Sequence, residues 1–249
     1  MKSYFQTDIG MMRTSNEDNV TILKREDALL AIVADGMGGH NAGEIASKLV
    51  IEHFEVAWNQ LPNDITAVAA EEWLQKEIEV ANGLVFQYAT DNEDCSGMGT
   101  TIVAAICTSK FATIAHIGDS RCYLHNQSGF HQITEDHSYV NYLVKAGGIS
   151  KEDAEQHPRK NVLTRALGTN ESVDIDVKTV LLEVNDKMLI CSDGLYSQIE
   201  ADEIEKIVQQ DKPLAELAEV LIEMAKANGG DDNISIVLLQ QSTSFVEGA

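Results

Sequence analysis

The order of apolar patterns along this 249-residue chain predicts an α+β fold, a layered domain with largely antiparallel sheets. Strand-like runs arrive in groups and helical stretches arrive in pairs, without the one-for-one alternation of βαβ units. No Pro-, Gly- or Ser-rich linker, long charge block or internal repeat divides the chain, so one domain over residues 1–249 is expected. A hydrophobic content of 44% at this length is enough for a sizeable core.

The first 35 residues read as three strands, SYFQTDIG, NVTILK and LLAIVAD, broken at 10–16 and 25–27. A helix over 42–58 sets Ile45, Leu49, Phe54 and Ala57 along one side. A second, after Pro62, repeats Leu74, Ile78, Ala81, Val85 and Tyr88 at helical spacing. Both stripes are core. Strands resume with TTIVAAIC, FATIAHI and RCYLH. Residues 136–168 are a polar, turn-rich excursion whose short helical pieces carry Gly147-Gly148 and His157-Pro158, the profile of a flap over a larger scaffold. Strands near 173–182 and 187–191 come next, then a short helix over 203–209. A longer helix over 213–227 has Pro213 in its first turn and stops at Gly229-Gly230. The final strand is ISIVLLQ.

Forty acidic against 18 basic residues give a net charge of −22, which repels phosphate backbones and anionic lipid surfaces. Nucleic acid and membrane are poor partners for such a chain. No apolar window reaches a membrane span, and Met1-Lys2-Ser3-Tyr4 passes into strand pattern with no signal peptide, so a cytoplasmic location is expected. Cys95, Cys107, Cys122 and Cys191 form no C-x-x-C pair and read as buried thiols of a reducing compartment. None has Arg six residues on, which excludes a cysteine-dependent tyrosine phosphatase. DNEDCSGMG imitates a calcium loop, but its glycine falls at the seventh place and no Glu closes it.

Five aspartates abut strand ends: Asp18 before NVTILK, Asp35 after LLAIVA, Asp119 after ATIAHIG, Asp193 after MLICS and Asp232 before NISIVLL. A lone Asp-Gly, as at Asp35-Gly36 or Asp193-Gly194, ordinarily just turns the chain. Five short, stiff carboxylates at strand ends pose a different problem, because convergence would force most of them to protonate. Divalent cations remove that repulsion, and ligands made only of oxygen select Mg²⁺ or Mn²⁺ over Zn²⁺. Gly36 can add a bare backbone carbonyl. Two ions about 4 Å apart activate a water in line with an electrophile such as phosphorus. Arg13, close before Glu17 and Asp18, can fork onto a phosphate, a surface ion pair being its other reading.

In order, the segments RTSNEDN from Arg13, ADGMGGH from Ala34, GMGTT from Gly97, GDSR from Gly118, DHS from Asp136, SDG from Ser192 and GDDN from Gly230 span some 220 residues. This series resembles the bacterial metal-dependent protein phosphatases of the type 2C family. The resemblance implies a four-layer α-β-β-α sandwich of two antiparallel sheets with the metal centre at one edge. By position, Asp35 is similar to the carboxylate that bridges two Mg²⁺ or Mn²⁺ ions, Gly36 to a carbonyl ligand, and Asp193 and Asp232 to ligands of the first ion. Asp18 resembles the outer ligand that reaches metal-bound water, Asp119 the ligand of a third ion shared with Asp193, and Arg13 the phosphate-binding arginine. Residues 146–164 resemble the family's flap. The implied reaction is hydrolysis of phosphoserine and phosphothreonine in proteins by direct attack of metal-bridging water or hydroxide, opposing a serine/threonine kinase, and a monomer is expected. Met37 stands where animal relatives carry a histidine proposed as general acid, and Met cannot donate a proton. His40, three residues on, either takes that catalytic role or supports the loop, while His137 reads as a hydrogen-bonded structural histidine. A regulatory cation-binding module without turnover is the competing class, and the intact carboxylate set argues against it.

Overall fold

Apolar runs such as 28–34 and 102–107 show no polar alternation because both of their faces are buried. Leu30 and Ile32 pack on one side of their strand with Ile102 and Ile106. Leu29, Ala31 and Val33 pack on the other with Val103 and Ala105. The computed structural model describes residues 1–39, 41–62 and 65–242.

In chain order the elements are β1 (Lys2–Asp8), β2 (Asp18–Lys24), β3 (Ala28–Met37), α1 (Ala42–Trp58), α2 (Ala67–Asp91), β4 (Gly99–Thr100), β5 (Ile102–Thr108), β6 (Phe111–Ile117), β7 (Arg121–Asn126) and β8 (Gly129–Gln132). After them come α3 (Tyr139–Lys145), α4 (Lys151–Glu155), β9 (Asp176–Leu181), β10 (Lys187–Cys191), α5 (Asp193–Tyr196), α6 (Ala201–Val208), α7 (Leu214–Ala227) and β11 (Ile234–Gln240). One sheet runs β2-β3-β5-β6-β9, with β4 against the end of β3, and the other runs β1-β11-β10-β7-β8. All pairings are antiparallel.

Three apolar layers hold the stack together. Val50, Phe54 and Trp58 of α1 and Leu74 and Ile78 of α2 cover the outer face of the six-stranded sheet. Val103, Ile114, Met188, Ile190 and Val237 fill the space between the sheets, with Cys107 and Cys122 among them. Leu217, Leu221 and Ile222 of α7 cover Leu189, Ile236 and Leu238. The result is the four-layer α-β-β-α sandwich. The four thiols are buried, and desolvation pushes Cys107 and Cys191 up to about 12.

Local differences from the expected elements have simple causes. β3 runs past Asp35 to Met37 because β4 offers it a partner, Gly36 opposite Thr100 and Met37 opposite Gly99. β8 is short and partly polar, and it forms because β7 supplies a hairpin partner. Pro213 precedes α7 at its N-cap position instead of lying in its first turn. That helix ends as expected, Gly230 donating to Ala225 O at 3.0 Å with φ of +59°. The 136–168 excursion contains α3 as well as α4, and its arms meet where Ser138 bridges Leu163. Among the described residues no helix is long and apolar enough to cross a membrane.

Candidate metal centre

The aspartates meet at one edge of the sandwich because each lies at a strand end there. β2 and β3 pair so that Asp18 stands opposite Asp35. Asp193 opens α5 with only Ser192 between it and β10, Asp232 is separated from the neighbouring β11 by Asn233 alone, and Asp119 sits in the turn from β6 to β7. Asp35, Asp119, Asp193 and Asp232 line one cleft together with Arg13 and Glu17. Asp18 lies behind that lining and is buried, its Oδ2 accepting from Ser192 Oγ at 2.7 Å. Ser192 Oγ in turn accepts the Ser235 N–H at 2.9 Å.

Backbone contacts fix the acids more firmly than side-chain contacts do. The Asp35 carbonyl accepts from Thr101 N at 2.8 Å and from Thr100 Oγ1 at 2.9 Å, while its N–H goes to Thr101 Oγ1 at 3.0 Å. Gly36 lines the cleft, and a Cβ there would fall 2.1 Å from Gly43 O and 2.6 Å from Glu17 O, so only glycine fits. Gly118 takes a φ of +101° to aim the next residue, and Tyr196 OH donates to Asp119 O at 3.0 Å. The buried Asn233 ties the Arg13 loop down. Its Nδ2 donates to Ile9 O at 2.9 Å and Ser15 O at 3.0 Å, and its Oδ1 accepts from Glu17 N at 2.8 Å.

Arg13 forms an ion pair, as one of its two sequence readings expects, and its partner is a candidate ligand. Its Nη2 donates to Asp232 Oδ2 at 2.7 Å, which puts a cation beside that carboxylate. Its side chain stays 48% exposed, which leaves it able to change partners. Arg121 is committed elsewhere, forked on Asp136 at 3.0 and 2.7 Å and lying 3.5 Å over the Tyr196 ring. His40 falls outside the described residues. His137 is buried and is not part of the cleft lining.

Electrostatics leaves the described lining of the cleft rich in closely spaced carboxyls. Burial first, then the neighbouring aspartates, pushes the carboxyls of Asp35, Asp119 and Asp193 above the ordinary range, and burial does the same to Asp18. Among the described residues the lining offers carboxylate and carbonyl oxygen and no thiol or imidazole, a donor set that fits hard divalent ions. Glu17 also lines the cleft and its carboxyl is raised by burial. Glu17 is adjacent to Asp18 but does not itself abut an apolar run, so the strand-end pattern in the sequence does not single it out.

Comparison with known proteins agrees with the series of motifs. Residues 12–238 match the family model described as Protein phosphatase 2C. The chain is 43% identical over 243 residues to the serine/threonine phosphatase stp of Listeria welshimeri, covering 97% of this chain and 96% of that one. It is 41% identical over 242 residues to the protein phosphatase PhpP of Streptococcus pneumoniae, covering 97% and 98%. The crystal structure of Stp1 from Staphylococcus aureus superposes with a TM-score of 0.91 at 36% identity, over 96% of this chain and 94% of that one. The catalytic domain of PstP in complex with two manganese ions superposes at 0.83 with 33% identity, over 95% and 96%.

Proposed function

The chain belongs to the protein phosphatase 2C family, and from that premise we propose that it is a metal-dependent phosphoprotein phosphatase that hydrolyses phosphoserine and phosphothreonine. The observation that carries this reading is the convergence of Asp35, Asp119, Asp193 and Asp232 on one cleft beside Arg13. As the finer part of the proposal, the chain acts as one catalytic unit, a cytoplasmic monomer that opposes a serine/threonine kinase.

Paired Mg²⁺ or Mn²⁺ ions, when bound, supply Lewis acidity and lower the pKa of a water to be delivered to phosphorus. Asp35, the Gly36 carbonyl, Asp193 and Asp232 would hold the core pair, and Asp119 with Asp193 would hold a third ion. Asp18 orients water from behind, with one oxygen already fixed by Ser192. Arg13 exchanges its pair with Asp232 for phosphate oxygens and so places the ester in the cleft. Met37 has no proton to give, so the departing serine or threonine oxygen takes its proton from His40 or from water. Where His40 is the donor, replacing it with Ala should slow alkyl phosphates more than nitrophenyl phosphate.

The deciding experiment follows phosphate release from phosphothreonine and phosphotyrosine peptides in Mn²⁺, Mg²⁺ or excess chelator. Turnover of the phosphothreonine peptide that requires Mn²⁺ or Mg²⁺ supports the proposal. Full turnover in chelator, or preference for phosphotyrosine, overturns it.

A further inference from the structure

Outside the cleft, His116, His137 and Asp176 bring three ligand-type atoms within 4.8 Å of one another. The arrangement is nevertheless wrong for a metal. Gly118 N–H donates to His137 Nδ1 at 3.1 Å, and burial holds the ring neutral, so its single proton sits on Nε2 and no lone pair points inward. Arg165 already fills the cationic role, its Nη1 lying 2.6 Å from Asp176 Oδ1. His137 Nε2 is buried 3.3 Å from Asp176 Oδ2 and too poorly aligned to bond to it.

What the ring does hold is the turn that carries Asp119. His137 N donates to Gly118 O at 2.9 Å while its Nδ1 accepts from Gly118 N, a two-way clasp on one residue. His116, two residues before Gly118, stacks on the His137 ring at 4.7 Å and 20°. A Cβ at Gly118 would lie 2.6 Å from Thr101 Cγ2, so the turn has little room to shift toward β5. The backbone of His137 faces the other way. Its carbonyl accepts from Thr164 N at 2.7 Å, and directly beyond it Ser138 bridges Leu163 and Tyr139 N donates to Val162 O at 2.8 Å. Those contacts zip the two arms of the 136–168 excursion together, and Asn161 and Leu163 on its returning arm line the cleft.

We propose that His137 is a positioning residue: it fixes Gly118, and through it Asp119, against the paired base of the flap, so that the third-cation site and the flap form one mechanical unit. The proposal rests on the reading of Asp119 as a cation ligand. Removing the ring leaves a buried N–H without its acceptor and lets the Asp119 carboxylate wander. An asparagine keeps the function, because its Oδ1 stands where Nδ1 stood.

The test titrates the full-length chain with Mn²⁺ by calorimetry in wild type, His137→Ala, His137→Asn and Asp119→Ala, and follows amide hydrogen exchange of each in chelator. In His137→Ala the weakest ion should lose about ten- to a hundredfold in affinity, as is usual when a ligand's hydrogen-bonding support is removed, with the tight pair unchanged. Exchange should accelerate at Gly118 and across residues 138–164 together, and His137→Asn should restore both readouts. Unchanged ion affinity and protection in His137→Ala, or equal damage in His137→Asn, overturns the proposal. Loss of the weakest ion in Asp119→Ala alone overturns it while leaving the reading of Asp119 intact. An Asp119→Ala chain that keeps every ion overturns both. A tight Zn²⁺ site abolished by His137→Ala and by Asp176→Asn would replace the clasp with a metal.

Discussion

Two clusters of ionisable side chains lie on either side of the Gly118 turn, and their charges are balanced in opposite ways. On the cleft side, Asp35, Asp119, Asp193, Asp232 and Glu17 face one half-exposed guanidinium, that of Arg13. On the flap side, Asp176 meets Arg165 at 2.6 Å beside two imidazoles whose pKa values burial lowers. Among the described residues the first cluster has charge left over, whereas in the second Asp176 is paired from within by Arg165 and His137 Nε2 is left without a hydrogen-bond partner. Net charge within a cluster, more than the density of ligand atoms, separates a binding site from a structural knot.

Each side can be pushed to break that contrast. The largest effect is expected from Asp35→Asn, which removes a carboxylate at the centre of the cleft: the tight ions and about a thousandfold or more in kcat should go together, since metal assistance is worth several kcal/mol. Metal titration paired with phosphopeptide turnover checks it, and near-normal turnover would remove Asp35 from the ligand set. Asp119→Ala should keep two tight ions, lose a weaker one and slow turnover about ten- to a hundredfold, read in the same pair of assays. Arg13→Ala should raise KM for small phosphate esters about tenfold, the worth of a charge-assisted hydrogen bond. Because it also frees Asp232, Mn²⁺ affinity should hold or tighten. Weaker Mn²⁺ binding would show that Arg13 supports the ions instead of competing with them.

Smaller effects concern stability. In chelator the buried aspartates bind more protons folded than unfolded, because their folded pKa values are raised. Their contribution is present below the unfolded value of about 4 and is lost as pH rises through the folded values. The melting temperature of the metal-free protein should therefore fall between pH 5.5 and pH 8.5, with Mn²⁺ restoring more at the higher pH. An opposite slope would mean that the cleft tolerates its charges unaided. Least of all, Arg165→Ala should cost under about 1 kcal/mol by chemical denaturation, because the pair is partly exposed. A loss several times larger would make the flap-side cluster a stabilising element in its own right.

The sequence was most readable where one strand or helix decides the outcome. The runs ending at Asp35 and Cys191, and the stripe through Leu49 and Phe54, announce themselves because burial on both faces, or on one helical face, leaves its own period. The strand-end aspartates were legible for the same reason: a charged residue closing an apolar run is conspicuous. Contacts made across the fold were not. That β3 continues to Met37 depends on Gly99–Thr100, more than sixty residues on. Arg13 and Asp232 find each other across the whole chain, and nothing local to either says so. Ser192 supporting Asp18, and His137 clasping Gly118, are hydrogen bonds between ordinary polar residues whose partners only the folded chain supplies.

The thiols between and beneath the sheets carry one more consequence. Cys107, Cys122 and Cys191 have essentially no exposed surface, and desolvation holds them as unreactive neutral thiols. A maleimide added to the native protein must wait for the sheets to part before it can reach them. Its reaction rate at those three positions in the purified protein is therefore a built-in clock for the breathing of the sandwich, without any label being engineered, and whether or not the cleft is loaded.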